Sequence, residues 1–590
     1  MAKASKAWIP NTYNGIQYNT CKNPRCESYG LSPEQHPKAY RITYGGKALP
    51  LLQCVKCGEV PPIKSNQGID EEVKRLIAHC MGEKPLSCLN EECSNHGVPV
   101  GTKKAYRSFG KTASGTQRYR CNGCGKTVSK PKASSRQRET YHNIDIFKML
   151  VNKVPLSRIV DMLGISWSLL YHRIDYIHSQ CMAFAGNRES KLATMDIERL
   201  NISIDRQEHV INWSERKDKR NIVLSAITSV DNTSHYVFGV HPNFDGSVDR
   251  DSIEALAQKN GDADLAAPLR GTARYWTQAD YTNAVNNKVF KLLGSGDLMT
   301  RVKTKYAKLE RREDVENFDE KTNDEQLPDY GMQIHAEYTM IAHFYYLKAL
   351  MPMAKKWRFF LDQESGIRAA CLAVFKDEVK AHKAEAFYVS INKRMTIDEK
   401  RQATGAAKAL LKERKADFPG KTDAEIKLEL LKEAIANVAH IGKWQDKWVK
   451  HPLPDMSEPE KAMCWITEHN AFDEDHVAWL HNKATLHGVD SFFEKVRRRI
   501  SLFERAMRSS ANDGRSWNGY SAYNPAMVGK LLDIFRVVHN YIDVRKKDGV
   551  TTTAAMRLGL AQAPLSYKDV LYFESVVSGL FDAEGRQRQY

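Results

Sequence analysis

Eight of the nine cysteines before residue 125 form two sets of four, and the two sets have the same spacing pattern. Each set has a wider pair followed by a CxxC pair, as the segments show: CKNPRC (Cys21, Cys26), CVKC (Cys54, Cys57), CLNEEC (Cys88, Cys93) and CNGC (Cys121, Cys124). Two such pairs on tight turns place four thiolates at the tetrahedral positions that structural Zn²⁺ requires. We therefore predict two zinc ribbons, at 1–80 and 81–135, and two structural zinc ions.

The other cysteines have no close partner in sequence and are interpreted as core thiols: Cys80, Cys181, Cys371 and Cys464. Twelve cysteines in 590 residues are too few for a disulfide scaffold. His96 could replace one thiolate of the second set, although that set is complete without it.

The charge of the chain indicates the kind of partner. It has 88 Lys and Arg against 71 Asp and Glu, a net charge of +17, which favours a polyanion such as nucleic acid. No signal peptide is recognisable and no apolar run approaches the roughly 18 residues of a membrane span. We therefore expect a cytoplasmic protein of several domains that binds no membrane. A GxxxxGKS or GxxxxGKT phosphate loop is absent, so ATP is not an expected ligand.

Residues 143–179 change to helical spacing, and LSRIVDMLGISWSLLYHRI is typical of a helix-turn-helix. Ser157 is the predicted cap of the first helix, Gly164 the turn, and residues 166–177 the second helix. That helix would present four side chains to the major groove of DNA: Trp167, Tyr171, His172 and Arg173. We predict a DNA-binding domain at 136–185; the alternative is a helical hairpin without DNA contact.

The second cysteine set contains a basic, strand-like stretch, RSFGKTASGTQRYRCNGCGKTVSK. Its Arg118, Tyr119 and Arg120 suit a ribbon that lies on a phosphate backbone. We therefore expect the zinc ribbons to contact DNA together with the helix-turn-helix.

After residue 193 the pattern becomes that of strands. Three runs, LNISIDRQEHVINW, RNIVLSAITSV and SHYVFGVHP, predict an antiparallel meander; a long helix, the strand WRFFLD, a helix at 363–375 and the strand EAFYVSI follow. Asp205 is predicted at the end of the first strand, and Asp362 ends the fourth. A mixed sheet would bring these two strand ends together, so both carboxylates would converge on one cation. The alternative for Asp205 is a turn-capping role.

The segment VDSFFEKVRRRIS, at 489–501, places Asp490 just ahead of Arg497, Arg498 and Arg499. One interpretation is a helix whose Asp490 binds a metal ion while the arginines bind nucleic-acid phosphates. The alternative is an amphipathic helix with a solvated basic face.

The order of these strands, helices and acids resembles the ribonuclease H-like core of DDE/DDD transposases and retroviral-type integrases. Insertion-sequence transposases carry a third acid on a late helix, as VDSFFEKVRRR does, and NPAMVGKLLDIFRVVHNYIDVRKKDGVTTTAAMRLGLA is similar to their ending. The resemblance covers about residues 192–561. It implies a multidomain α/β fold with a mixed-sheet core at 192–510, helical insertions at about 246–330 and 396–479, and a C-terminal helical region at 511–590.

The resemblance further implies a DNA transposase of the prokaryotic cytosol that acts as a homo-oligomer on double-stranded DNA, at element ends and at a target. Asp205, Asp362 and Asp490 would hold two Mg²⁺ or Mn²⁺ ions, since these cations take oxygen ligands and a pair of them serves phosphodiester transfer. The family's third acid is usually Glu, so Glu494, one turn after Asp490, is an alternative. Asp280, at the end of another strand-like run, is the alternative to Asp362.

Two other functions fit the same pattern. One is a domesticated DNA-binding regulator that keeps the ribbons and the fold without the chemistry; intact Asp205, Asp362 and Asp490 argue against it. The other is a metal-dependent nuclease without strand transfer, which shares the carboxylates and differs in the nucleophile.

Overall fold

The computed structural model describes most of the chain: residues 9–44, 50–80, 86–100, 104–113, 115–129, 137–212, 218–286, 325–504, 519–547 and 549–573, with the short pieces 102, 134, 299–300, 302–303, 321, 507–508 and 516–517. These residues form a mixed α/β protein. None of the helices in this part of the chain is both long enough and apolar enough to cross a membrane.

The described strands, in chain order, are β1 (Tyr40–Tyr44), β2 (Pro50–Cys54), β3 (Tyr106–Lys111), β4 (Gln117–Cys121), β5 (Thr127–Ser129), β6 (Leu200–Ile211), β7 (Ile222–Asp231), β8 (Val237–Pro242), β9 (Phe244–Asp245), β10 (Met332–Gln333), β11 (Trp357–Asp362), β12 (Ala384–Ile391), β13 (Ala439–Ile441), β14 (Asp446–Lys450), β15 (Lys461–Trp465), β16 (Met507–Arg508), β17 (Ser516–Trp517), β18 (Arg545–Lys547) and β19 (Val550–Thr552).

The described α-helices are α1 (Asn66–Cys80), α2 (His142–Leu150), α3 (Leu156–Leu163), α4 (Trp167–Glu189), α5 (Arg250–Asn260), α6 (Gln278–Asn286), α7 (Ala336–Leu350), α8 (Ser365–Val374), α9 (Lys376–Lys380), α10 (Ile397–Arg414), α11 (Asp423–Ala436), α12 (Glu474–Lys483), α13 (His487–Arg499), α14 (Ala526–Val537), α15 (Ala554–Leu558) and α16 (Tyr567–Leu571). A π-helix, Val538–Ile542, continues α14.

An eight-stranded mixed sheet forms the centre of the fold, in the order β13-β14-β15-β12-β11-β6-β7-β8. The predicted meander is present as β6, β7 and β8, which pair antiparallel. Strand β11 lies between β6 and β12 and is parallel to both. Nearly every residue of β11 and β12 is buried, as is usual for parallel strands that are covered on both faces.

Strand β6 continues through Asp205 to Ile211, so Asp205 lies inside the strand and the predicted strand end is wrong. The reason is the ladder with β7, which runs without interruption from Ile202 to Ile211. The segment RQEHVI therefore extends the strand instead of forming a turn.

The insertion at 396–479 is helical only in its first half. Helices α10 and α11 each begin with a threonine capping box, at Thr396 and Thr422. Strands β13, β14 and β15 follow and extend the central sheet beyond β12, so the purely helical prediction is wrong for the second half. The short run KAMCW becomes a fully buried strand because it pairs with β12.

The insertion at 246–330 begins and ends beside a two-stranded pairing of β9 with β10. Its described residues include helices α5 and α6. Much of the remainder of this predicted insertion, 287–298, 304–320 and 322–324, lies outside the described residues.

Helices cover the central sheet. Helix α7 packs against α1, α8 and strand β8, and most of its side chains are buried, which explains why most of its residues are apolar or aromatic. Helix α13 packs on β6 and β7, and α14 packs on β8 and α4. The C-terminal region thus belongs to the same hydrophobic core as the sheet. It also contains the β18–β19 hairpin, in addition to the predicted helices.

Helices α3 and α4 form the predicted helix pair. Gly164 ends α3 with a left-handed φ of 63°, and the Ser166 side chain caps α4. Helix α3 begins after Pro155, so Ser157 lies in its first turn and is not the predicted cap. Helix α4 continues to Glu189, well past the predicted end, because its later residues are buried in the core.

Candidate metal centres and basic surfaces

The two cysteine sets form two compact tetrads, in each of which four Sγ atoms lie within 4.8 Å of one another. In the first, Cys21 and Cys57 are 3.6 Å apart and Cys26 and Cys54 are 3.8 Å apart. In the second, the corresponding distances are 3.4 Å (Cys88 to Cys124) and 3.7 Å (Cys93 to Cys121). A tetrahedral site with Zn–S bonds of about 2.3 Å requires sulfur atoms about 3.8 Å apart. Both tetrads therefore fit one structural zinc ion each.

The first ribbon is seated against the central domain, which we define as the eight-stranded sheet and the helices that cover it. The Tyr29 hydroxyl donates to the Leu372 carbonyl of α8 at 2.7 Å, and Arg25 forms an ion pair with Asp446 of β14. Glu59, whose carboxylate accepts from the backbone of Lys22 beside the tetrad, also pairs with Arg368 of α8 at 3.3 Å. These contacts make the first ribbon a structural part of the central domain.

The second ribbon exposes a basic face. Strand β3 is exposed along almost its whole length, and the Phe109 ring is 40% exposed. The guanidinium groups of Arg118 and Arg120 on β4 both lie over that ring, each 5.3 Å from its centroid. Hydrogen bonds from Asn95 and Asn122 to backbone carbonyls hold the ribbon together from within. An exposed aromatic ring with two guanidinium groups beside it is suited to phosphate and sugar contacts.

Helix α4 exposes three of the four predicted groove residues. Trp167 and Tyr171 are 47% and 44% exposed and stack at 6.2 Å, and His172 is exposed beside them. The fourth, Arg173, is buried and donates to the Arg138 carbonyl, so the prediction that it faces a DNA groove is wrong. Arg173 lies on the buried stripe of α4 next to Ile174, and this burial lowers the pKa of its guanidinium.

Asp205 and Asp362 lie on adjacent parallel strands. Ile204 pairs with Leu361 in the register of β6 and β11, so the next residue on each strand is an aspartate. Asp205 is 8% exposed. Burial raises the pKa of its carboxyl group well above the ordinary value, and the neighbouring Asp362 carboxylate raises it further.

Asp490 reaches the same place from α13. The start of this helix lies directly on β6, where the Val489 amide donates to Ser203 Oγ at 3.1 Å. Gly488 permits this approach, because a Cβ atom there would lie 2.9 Å from Ser203 Oγ and closer still to Asn232 Oδ1. Asp490 comes two residues after Gly488, in the first turn of α13, so the close contact of Gly488 with β6 also fixes the position of Asp490.

Lys393, which sequence reasoning did not identify, lies among the three carboxylates. Its Nζ is 2.8 Å from Asp490 Oδ1 and 3.9 Å from Asp205 Oδ2. Burial lowers the pKa of Lys393, but Asp490, Asp205 and Asp362 outweigh burial and hold that pKa above its ordinary value. Lys393 comes two residues after β12, the strand parallel to β11. Its place just after the strand in the stretch FYVSINK is the sequence feature from which its position near Asp362 could have been predicted.

The two alternative acids have other partners. Glu494 pairs with Arg498 at 2.7 Å, and its side chain is 53% exposed. Asp280 lies in helix α6 and not at a strand end, and it contacts Arg270 and the Thr277 hydroxyl. The acids in contact with Lys393 are therefore Asp205 and Asp490, and Asp362 lies next to Asp205 on the neighbouring strand.

A cleft of about 620 Å³ opens beside this group. Five basic and three acidic side chains line it: Lys153, Lys393, Lys400, Arg497 and Arg498, with Asp490, Glu494 and Glu504. The cleft thus leads from the carboxylates to the basic end of α13, along a path that suits a phosphodiester chain.

The three arginines of α13 differ in their surroundings. Arg497 lines the cleft, and the side chain of Arg498 is 75% exposed. Arg499 instead donates to the Val151 carbonyl at 2.7 Å and contacts both carboxylate oxygens of Asp543. Arg499 therefore joins α13 to the helix-turn-helix region and the C-terminal region, and its contact with DNA stays a prediction.

No protein-family model matches this chain, and no curated protein sequence matches it.

Proposed function

We propose that this protein is a DNA transposase that cleaves and joins DNA at a carboxylate site composed of Asp205, Asp362 and Asp490. The observation that carries the proposal is that Asp490 and Asp205 both lie beside the single ammonium group of Lys393, while Asp362 lies next to Asp205 on the adjacent parallel strand. Acids that are far apart in sequence and gather at the edge of a basic cleft are the arrangement that cation-dependent phosphodiester chemistry needs.

The sheet supports a ribonuclease H-like core. Strands β8, β7, β6, β11 and β12 are neighbours in that order, with an antiparallel meander followed by two parallel strands. This is the strand arrangement implied by the resemblance to DDE/DDD transposases. The three further strands, β13 to β15, extend the sheet on the side of β12.

The donor set fits hard divalent cations such as Mg²⁺ or Mn²⁺, which prefer carboxylate oxygens. A pair of such ions would supply activation of the attacking oxygen and stabilisation of the leaving oxygen. Asp205, Asp362 and Asp490 would hold the ions, and Arg497 with Arg498 would bind the DNA backbone along the cleft.

In this proposal a water oxygen first attacks the phosphorus at the element end. The P–O3′ bond breaks, and the released 3′ oxygen takes up a proton to give a free 3′-OH. That 3′-OH then loses its proton and attacks a phosphorus of the target DNA, whose own P–O3′ bond breaks as the new bond forms; the released target 3′ oxygen takes up a proton. No covalent link to the protein is required.

Recognition of element ends is assigned to helix α4 and to the second ribbon. Trp167, Tyr171 and His172 form an exposed edge on α4, and Arg118 and Arg120 form the basic face of the ribbon. Together with the net charge of +17, these surfaces support a double-stranded DNA partner. Assembly of several copies on paired ends is part of the proposal.

The test is a joining reaction with DNA taken from both flanks of the gene. Purified protein is incubated with Mg²⁺ or Mn²⁺, a target plasmid, and end fragments that carry either a 3′-OH or a 3′-dideoxy terminus. A transposase joins only the 3′-OH fragments to the target. Cleavage of intact ends without any joining would instead assign a nuclease, and DNA binding without either reaction would assign a regulator.

A further inference from the structure

A second cluster of cations lies on the other side of α13. Lys495 follows Asp490 by five residues, which turns it about 140° around the helix axis. Its Nζ lies 3.4 Å from His539 Nδ1 of the π-helix. Nearby, Arg545 Nη1 of β18 lies 2.8 Å from His235 Nε2, in the turn between β7 and β8. We call the group of Lys495, His235, His539, Arg545 and Arg557 the histidine–arginine cluster.

The hydrogen bonds make both histidines neutral. His235 Nε2 faces the Arg545 guanidinium and can only accept a hydrogen bond from it. His539 Nε2 donates to the His235 carbonyl at 3.0 Å, so its Nδ1 is left to accept from Lys495. In agreement with this, burial together with nearby cations lowers the pKa of His235 to about 4 and that of His539 to about 3.

The lysine and the two arginines of the cluster have little opposing charge. Burial lowers the pKa of Lys495, and Arg545, Arg499 and Arg557 lower it further. The carboxylate that acts against this is Asp543, but both of its oxygens are already in contact with Arg499. Within the described residues, the cluster is thus a concentration of positive charge that an external anion would stabilise.

The cluster is held in place by the backbone and is open to solvent. Arg557 Nε donates to the Ser234 carbonyl at 2.8 Å, which fixes helix α15 against the turn that carries His235. Arg545, Lys546 and Arg557 are exposed. Guanidinium groups in fixed positions bind phosphate oxygens with both charge and directional hydrogen bonds.

We infer that the histidine–arginine cluster binds the phosphate backbone of duplex DNA at a place separate from the cleft beside Asp490. The inference rests on the proposed function, because DNA is the polyanion that the transposase would bind. Helix α13 then lies between two DNA contacts: Arg497 and Arg498 on the side of the carboxylates, and Lys495 with the C-terminal hairpin on the other side. The second contact would hold DNA in place during cleavage without taking part in it.

The experiment measures the affinity for a blunt duplex oligonucleotide, free of divalent cations other than zinc, over a range of salt concentrations. Arg545→Ala should weaken binding and reduce the slope of log affinity against log salt by about 0.9, the value for one lost phosphate contact. Arg545→Lys should keep the slope. Lys74→Ala is the charge-matched control, since Lys74 is exposed on α1, which packs against α7; its slope should equal that of the wild type.

Thermal unfolding of each variant shows whether the fold is intact. If Arg545→Ala is destabilised, Arg545→Gln replaces it, because Gln removes the charge but keeps an N–H donor for His235. Wild-type slope and affinity in Arg545→Ala would overturn the inference while leaving the proposed function in place. Wild-type protein that binds no duplex would overturn both. Inorganic phosphate is the second probe: if it stabilises the wild type but not Arg545→Ala, while both bind duplex equally, the cluster is a site for free phosphate and the DNA assignment is wrong.

Discussion

Lys393 Nζ lies 2.8 Å from Asp490 Oδ1, although 97 residues separate them in sequence. The same ammonium group is 3.9 Å from Asp205. The Lys393 side chain thus connects the end of β12 to the first turn of α13 and lies where Asp205 and Asp490 approach each other. The ammonium group partly neutralises the negative charge of these carboxylates, as bound metal cations would.

Replacing this lysine should therefore make the fold depend more on divalent cations. Lys393→Met keeps a similar length but removes the charge, leaving three carboxylates without it. Because Lys393 is half exposed, we expect the free energy of unfolding without divalent ions to fall by about 1 kcal/mol or less. Added Mg²⁺ should then raise the unfolding temperature of Lys393→Met more than that of the wild type. Equal Mg²⁺ effects on the two proteins would contradict the role of Lys393 as a counter-charge.

Asp490 and Glu494 can be separated by a matched pair of amide variants. Asp490→Asn preserves the size of the side chain but removes the charge near Asp205, so we expect loss of DNA cleavage and joining with little loss of DNA binding. Glu494→Gln should remain active, because Glu494 is exposed and pairs with Arg498. Gel assays of cleavage, joining and binding measure all three. An active Asp490→Asn with an inactive Glu494→Gln would move the third ligand one turn along α13.

The ionised carboxylate of Asp205 should lower the free energy of unfolding at neutral pH in the absence of metal ions. Burial, together with Asp362, raises its pKa in the folded state, so ionisation is easier in the unfolded state. The resulting penalty is absent below the unfolded pKa, near 4, grows as pH rises from there to the raised folded pKa, and is constant at higher pH. Asp205→Asn should therefore raise the unfolding temperature at pH 7 to 8, and this gain should disappear on acidification. A gain that is equal at pH 4 and pH 8 would exclude ionisation as the cause.

Several parts of this arrangement are readable from the sequence. Alternating runs locate β6, β7 and β8, and an acid at the end of WRFFLD locates Asp362, because strand patterns depend on local residue spacing. The cysteine spacing likewise locates both tetrads.

Other parts depend on contacts between distant segments. The contact of Lys393 with the acids forms only because β12 pairs with β11 and α13 packs on β6. Strand β15 exists because KAMCW pairs with β12, and the burial of Arg173 follows from packing of α4 in the core. Local propensity carries no information about such long-range pairings.

The basic face of the second ribbon should contribute directly to DNA binding. Arg118→Ala and Arg120→Ala together should reduce the slope of log affinity against log salt by about 1.8, at roughly 0.9 per phosphate contact. Lys56→Ala and Arg41→Ala in the first ribbon provide a charge-matched control, since both side chains are on the ribbon that is seated against the central domain. An unchanged slope in the second-ribbon variant would reject this surface as a DNA contact.

The two zinc ribbons should respond differently when their metal ligands are removed. Metal analysis of the wild type should find two zinc ions per chain, because both tetrads have sulfur separations suited to Zn²⁺. Cys54→Ser with Cys57→Ser should destabilise the central domain, since the first ribbon contacts α8 and β14 through Tyr29, Glu59 and Arg25. Cys121→Ser with Cys124→Ser should leave the unfolding temperature of the central domain nearly unchanged and weaken DNA binding. Thermal unfolding and duplex binding of both variants measure the difference, and an equal loss of stability in the two would show that both ribbons support the fold.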